Sequence, residues 1–381
     1  MTEAEDDVAL TILHTADWHL GRRFAQFPDE AALELSRARM SVIDAIMGSA
    51  AYNDVDAVLC AGDLFDLPQP DESWWRPLAD KLTQHAGRTV VLLPGNHDPL
   101  TPGSVYHPEH PFRHALPDSV HVVDRDDFTL ELSPEATLYA RPCRSRAEGL
   151  DPAMALPARQ EGDTSLRIGM VHGSTFDMPD FQTNFPIAKD AAVRRGFDYL
   201  AIGDTHAYRV YDPPEQPTVY PGAPEPTTFG ERDAGNVALV FFAKRRRRPL
   251  IRPERVARFR WEERVVEDLP ALRRLRGEEL QRTVLRLTLR LRVTPAEQDE
   301  VEEILEELAG NSARHGRAAV LQVDRSGLSL DAADLGDVLD GQPQVLVESA
   351  QRLQQRAEGG GEDAEVAQRA LYHLYRLVRS G

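Results

Sequence analysis

The chain has 381 residues, of which 41% are hydrophobic and 28% charged, and its formal net charge is −18. One hydrophobic core stops growing near about 250–300 residues, so two or three domains are expected. No apolar run nears the ~20 residues of a membrane-spanning helix, and the acidic start "MTEAEDDVAL" is unlike a secretory leader. The acidic balance excludes nucleic-acid binding by the whole surface but not by a local basic groove. Two cysteines, Cys60 and Cys143, fit a cytoplasmic protein that does not depend on disulfides, with Cys60 reading as a small buried thiol. Positive charge is nearly all arginine, since only Lys81, Lys189 and Lys244 are lysines.

In chain order, short β-rich runs closed by polar residues predict strands at Ala9–His14, Val55–Ala61, Arg88–Leu93, Leu166–Val171, Tyr199–Ile202 and Val237–Phe242. Helices are expected over Glu30–Ala51, where Leu33, Leu35, Met40, Ile43 and Ile46 recur at helical spacing, and over Ser73–Gln84. Strands alternating with helices indicate a layered α/β core. The proline-rich "DPPEQPTVYPGAPEPT" predicts an ordered loop.

The character changes near Arg245. "KRRRRPLIRPERVARFRW" is a dense arginine run, "EELQRTVLRLTLRLRV" alternates like a half-exposed strand, and "TPAEQDEVEEILEEL" is a helix with Thr294 as N-cap and Pro295 at its first position. "RAAVLQV" reads as a further strand. Past Asp331 the chain turns helical, is interrupted by "EGGGED", and ends in an amphipathic helix with Val366, Ala370, Leu374 and Leu377 along one face. The expected division is residues 1–245, a small αβ domain over 246–330, and a helical segment over 331–381.

Five of the apolar runs deliver polar residues at their ends. "LHTADWHLG" supplies Asp17 and His19, "VLCAGDLFD" Asp63, "VLLPGNHDP" Asn96 and His97, "IGMVHGS" His172, and "DYLAIGDTHAY" Asp204 and His206. A strand points residues i and i+2 to the same side, so Asp204 and His206 can converge on one object. Oxygen and imidazole donors without thiolates suit Mn²⁺, Fe²⁺ or Zn²⁺ rather than a structural zinc site. Two cations about 3.5–4 Å apart, bridged by one carboxylate, clamp a phosphate and lower the pKa of a bound water. Each element alone is commonly a turn or a capped strand end; the ordered set is what points to this chemistry.

This set resembles the calcineurin-like metallophosphoesterases, and "ILHTADWHLG", "AGDLFD" and "PGNHD" are most similar to SbcD-type DNA-repair exonucleases. The likeness covers about the first 240 residues; the remainder matches in layout only. It implies an α/β fold of two mixed β-sheets flanked by helices, with a small αβ capping domain and C-terminal helices. Carried over by position, it implies one metal held by Asp17, His19, Asp63 and His206 and another by Asp63, Asn96, His172 and Asp204, with Asp63 bridging. His97 would face the scissile phosphate and Asp98 would orient it. The family usually has Gly-His-x-His where this chain has "GDTH"; Asp204 still ligates a hard cation, adds negative charge, and favours Mn²⁺ or Mg²⁺ over Zn²⁺.

Three arginine groups favour nucleic acid as the substrate: Arg22 and Arg23, then Arg141, Arg144 and Arg146, then the Lys244–Arg248 run with Arg245 and Arg246. That last run reads equally as a hinge paired with the acidic helix Glu297–Glu307. In the resembled family the second domain caps the site and the C-terminal helices bind an SMC-like coiled-coil ATPase, so Val366–Val378 is either a docking helix or one folded back on its own domain. The reading is a DNA phosphodiesterase with two Mn²⁺ per chain, an exonuclease with room for endonuclease activity, working in repair as a homodimer with the ATPase. The alternatives are a phosphomonoesterase or cyclic-nucleotide phosphodiesterase, and a non-catalytic DNA-binding scaffold.

Overall fold

A computed structural model describes residues 8–175, 184–211, 217–243, 246–310, 318–330, 339, 341–357, 359 and 362–380. It divides into two compact units, Met1–Arg258 and Phe259–Gly381. In the first, β1 (Val8–Thr15), β2 (Ala57–Cys60), β3 (Thr89–Leu92) and β4 (Val120–Val122) run parallel, while β11 (Asn236–Ala243) and β12 (Arg246–Arg255) extend the sheet antiparallel on the other side of β1. A second sheet has the order β5 (Phe128–Ser133), β6 (Ala136–Ala140), β7 (Leu166–His172), β8 (Tyr199–Gly203), β10 (Thr218–Tyr220), β9 (Arg209–Tyr211). Both sheets are mixed, as expected.

Strand alternation explains how the sheets stack. Leu10 and Ile12 of β1 share a core with Leu59, Val91, Leu138, Ile168, Met170, Tyr199, Val240 and Phe242, which lie on the facing sides of the two sheets. Leu13, on the opposite side of β1, joins a core with α1 (Asp29–Tyr52), α2 (Glu72–Gln84) and Phe112 of the short α3 (Pro111–Ala115). The outer face of the second sheet is covered by Ala188, Phe197 and the short α4 (Ala191–Arg195), through Ala191 and Ala192. Each predicted strand and helix of this unit is present within a few residues. Leu33, read as part of the buried stripe of α1, is half exposed, whereas Arg39 is fully buried. The proline-rich stretch is not all loop: residues 212–216 lie outside the described set, and Thr218–Tyr220 forms the buried strand β10 beside β8. Its proline precedes the strand and spends no ladder N–H, and the Pro217 carbonyl accepts from the Leu200 N–H at 2.9 Å.

The arginine run is also differently placed from a boundary at 245. Arg246–Arg255 pairs with β11 from Arg246↔Ala243 to Arg255↔Asn236, so the first unit continues to Arg258. Arg245 lies outside the described residues, and of Arg246 only the backbone is described. The acidic helix finds its cations nearer home. Glu300 pairs with Arg273, Glu307 with Arg276 and Glu302 with Arg325.

The second unit has a parallel sheet, β13 (Arg260–Val266), β14 (Thr283–Leu289) and β16 (Val320–Asp324), in that order, and a short parallel pair, β15 (Arg292–Val293) with β17 (Ser329–Leu330). Helix α5 (Leu269–Leu275) and the acidic helix α6 (Pro295–Ala309) pack on this unit's core through Leu272, Leu275, Val301, Ile304 and Leu308. At the start of α6 the Glu297 N–H donates to Thr294 Oγ1 at 3.3 Å while the Thr294 N–H donates to Glu297 Oε2 at 2.9 Å, a reciprocal capping box. Thr294→Ala is expected to lower the unfolding free energy of this unit by about 1 kcal/mol, read from urea denaturation.

Two helices, Gln344–Ala357 and Glu362–Ser380, complete the unit. The last one buries Ala364, Ala367, Leu371 and Tyr372, with Leu371, Tyr372 and Leu374 on the core of its own unit. Val366, placed on the apolar face by the sequence, is 57% exposed. The helix is folded back, and its packed stripe is rotated from the expected one. No described helix is long and apolar enough to cross a membrane.

Candidate dimetal centre

Parallel pairing of β1, β2 and β3, and of β7 and β8, puts the C-terminal ends of these strands at the same end of their sheets. The loops leaving them are stitched together. Asp17 N–H donates to Gly62 O at 3.0 Å, His19 N–H to Asp63 O at 2.9 Å, and Gly173 N–H to Gly203 O at 3.1 Å. Four of the predicted ligand positions have positive φ: Asp17 (57°), His19 (43°), Asp63 (55°) and Asp204 (108°). Such backbone costs about 1–3 kcal/mol per residue, and strain of this kind concentrates at functional sites.

The side chains converge as two overlapping groups. Ligand atoms of Asp17, His19 and His206 lie within 4.8 Å of one another, as do those of Asp17, Asp63 and His172. His19 Nε2 and His206 Nε2 face each other at 3.1 Å. Asp63 Oδ2 is 3.7 Å from His19 Nε2 and 3.5 Å from His172 Nε2, so one carboxylate oxygen addresses both halves of the cluster. Asp204 joins on the His172 side. Its Oδ1 is 3.8 Å from His172 Nε2 and accepts from Asn96 Nδ2 at 3.2 Å, and its Oδ2 accepts from the Ser174 hydroxyl. Ser174 carried no mark in the sequence.

Several features fit cations. His172 is fully buried, its Nδ1 lies 2.8 Å from Ala61 O, and its Nε2 has no hydrogen-bond partner among the described residues. Asn96 Oδ1 is likewise buried and unpartnered there. Burial pushes the Asp17 carboxyl up to about 6, opposed by the imidazoles of His206 and His172 and reinforced by Asp63 and Asp204. Burial also acts to raise Asp63, but the charge and hydrogen bond of His172, with His19 and His97, hold it below the usual carboxylate range. Burial acts to lower His172, yet Asp63, Asp17 and Asp204 leave its imidazole above its ordinary value. The cluster is thus short of positive charge, and divalent cations bound by its oxygens and ring nitrogens supply it.

The glycines of the motifs make room for this. A Cβ on Gly95 would sit 2.1 Å from Asp63 Oδ1 and 2.4 Å from its backbone N, and one on Gly62 would sit 2.2 Å from His172 Nδ1. Gly95→Ala is therefore expected to displace Asp63, weaken divalent-cation binding and cost about 1–3 kcal/mol of stability from overpacking. Calorimetric Mn²⁺ titration alongside a thermal melt of the metal-free protein measures both effects.

His97 lies at the open edge, 46% exposed, with its ring edge-on to His19 at 4.9 Å between centroids. Asp98 does not orient it. The Asp98 carboxylate is fully buried and accepts from Gly95 N–H (2.8 Å), Phe65 N–H (2.9 Å) and the Tyr106 hydroxyl (2.6 Å), so it braces the loops rather than the imidazole. The carboxylate beside His97 is Asp66. His97 Nδ1 is 3.4 Å from the Asp66 carbonyl and 3.7 Å from its Oδ1, and the same Oδ1 is 3.2 Å from His19 Nδ1. Asp66 was visible in "AGDLFD" as a residue three positions after Asp63, but nothing in the spacing distinguished it from Asp98.

Arg22 reaches Asp66 at 3.6 Å and so stands beside His97, while Arg23 is exposed. Arg141 and Arg144 share Asp126, at 4.0 and 2.6 Å. Their loop borders the site, because Cys143 N–H donates to Pro94 O at 3.0 Å and Leu100 N–H donates to Cys143 O at 2.8 Å. Arg146 lends its carbonyl to Asn184 Nδ2.

The calcineurin-like phosphoesterase family model matches residues 10–208, a little over half of the chain. The protein belongs to that family and is a metal-dependent hydrolase. Among curated proteins it is 27% identical over 223 residues to the uncharacterized metallophosphoesterase YhaO of Bacillus subtilis (56% of this chain, 52% of that protein). It is 37% identical over 92 residues to the SbcD component of the nuclease SbcCD of Escherichia coli K12 (23% and 21%). With the DNA double-strand break repair protein Mre11 of Methanopyrus kandleri it shares 25% over 243 residues (58% and 50%). The match thus spans about half the length of two of these relatives and a fifth of the third.

Proposed function

We propose that this chain is a DNA phosphodiesterase acting through two cations, Mn²⁺ or Mg²⁺, and serving break repair in the cytoplasm as a homodimer with an SMC-like ATPase. The observation that carries the reading is the Asp63 carboxylate oxygen within 3.7 Å of both His19 Nε2 and His172 Nε2. Asp17, His19, His206 and Asp63 would hold one cation, and Asp63, Asn96, His172 and Asp204 the other. When bound, the pair would polarise the phosphate and lower the pKa of the attacking water.

The protein groups have separate tasks. The buried donors fix cation positions without reorganising during reaction. His97, exposed and backed by Asp66, is placed to give a proton to the departing sugar oxygen. Arg22 and the Arg141–Arg144 loop offer guanidinium groups to flanking phosphates, which positions a strand without reading its sequence. The nuclease and break-repair names of SbcCD and Mre11 favour DNA over smaller esters.

The test offers Mn²⁺-loaded protein four substrates: end-labelled linear duplex, single-stranded DNA, p-nitrophenyl phosphate and its bis-ester. Nucleotide release from DNA is expected. Turnover confined to the monoester would transfer the site to the phosphomonoesterase reading, and no turnover with fewer than two cations bound would leave a DNA-binding scaffold.

A further inference from the structure

The segment following β10 wraps the second histidine of the "GDTH" motif. Ala223 N–H donates to the His206 carbonyl at 3.0 Å, and Gly222 has φ +78°, where a Cβ would meet that carbonyl at 2.7 Å. Further along, Glu231 places Oε1 2.5 Å from His206 Nδ1. Its side chain is 11% exposed, and Thr227 fixes it twice: the Thr227 N–H donates to Oε2 at 2.7 Å and the Thr227 hydroxyl donates to Oε1. Thr227 Oγ1 is itself 3.0 Å from His206 Nδ1.

The strap has its own anchor. Arg39, fully buried in α1, donates from NH1 to the carbonyls of Glu225 (2.8 Å) and Pro226 (3.3 Å). The same guanidinium donates from Nε to Trp18 O at 2.8 Å and from NH2 to Asp17 O at 3.1 Å. One rigid cation therefore ties the strap carrying Glu231 to the loop carrying Asp17 and His19. On the far side, Glu225 Oε2 accepts from the Arg258 N–H at 2.7 Å.

We propose that Glu231 is a positioning residue of the dimetal centre, which holds His206 with its proton on Nδ1 and turns the Nε2 lone pair toward the cation shared with Asp17 and His19. The reasoning is chemical. An imidazole has two nitrogens, and a carboxylate that accepts from one leaves the other as the ligand and raises its basicity; losing such a partner costs about 10–100-fold in metal affinity. Thr227 and Arg39 keep the carboxylate from swinging into the cluster, where it would compete with His206 for the metal. Glu231 stands 25 residues after His206, outside every motif of the chain.

The inference rests on the dimetal reading, and full-length protein stripped of metal separates the two. Mn²⁺ is titrated calorimetrically into wild type, Glu231→Gln and Glu231→Ala, and metal-free thermal melts are recorded for each. Wild type is expected to bind two ions. Glu231→Ala should weaken one of the two binding steps about 10–100-fold and leave the other unchanged. Glu231→Gln should lose less, because its amide oxygen still accepts from Nδ1–H. The metal-free melts should coincide, since a merely structural role would shift them. Two variants that bind like wild type would overturn the positioning role alone, as would an affinity loss matched by a fall in the metal-free melt. A wild type that binds no Mn²⁺ would overturn the dimetal reading and this role with it.

Discussion

Asp63→Asn is expected to abolish phosphodiester hydrolysis and to leave at most one Mn²⁺ per chain. Asp63 is 2% exposed, and its two oxygens do different work. Oδ2 faces the imidazoles of His19 and His172 from opposite halves of the cluster, and Oδ1 accepts the backbone N–H of His97 at 2.9 Å. An asparagine of the same shape removes the charge that two cations share and sets an N–H₂ against one of those neighbours. Removing a single fixed donor from a preorganised site costs about 10²–10³-fold, so loss of a bridged pair should exceed that. Elemental analysis after dialysis, with nucleotide release from linear duplex as the rate, measures both. Two tightly held ions and a near-normal rate in Asp63→Asn would remove the bridging role.

His97→Ala should have the second largest effect and a different signature. Its backbone N–H still reaches Asp63 Oδ1, so two Mn²⁺ ions should bind as in wild type. The rate on DNA should fall about 10²–10⁴-fold, the range expected for a lost general acid. A nitrophenolate needs little help in leaving, so the loss on bis-p-nitrophenyl phosphate should be clearly smaller. Equal losses on the two substrates would show that His97 acts on the phosphate or the cations rather than on the departing oxygen. Asp66→Asn should share the His97 pattern in weaker form, because it leaves the imidazole in place without the carboxylate at its back.

The legible part of the site was the part that follows strands. Each buried parallel strand reads as a short β-rich run, and a polar residue just after such a run has to stand at the strand mouth. Asp17, His19, Asp63, Asn96, His172, Asp204 and His206 were found in that way, and the structure brings all seven into one cluster. The arginine strand β12 was harder to read, because an edge strand with charged residues on both faces lacks the alternation that marks half-buried ones. The final helix was seen as amphipathic, yet its apolar residues spread over more than half a turn. Only packing within the second unit selects Ala364, Ala367 and Leu371 over Val366.

Partner choice among polar residues was not legible. Asp66 and Asp98 lie three and thirty-five positions after Asp63, and each follows a ligand-bearing motif closely enough to serve His97. The fold gives Asp98 three internal donors and leaves Asp66 between two imidazoles. Glu231 and Arg39 were invisible for the same reason, since a hydrogen bond across 25 or 186 residues leaves no periodic trace in the chain. By itself the sequence determined which residues end the strands, and with them the donor set and the class of chemistry. Tertiary structure alone decided which side chains stand behind those donors, because that depends on which loops the two stacked sheets bring side by side.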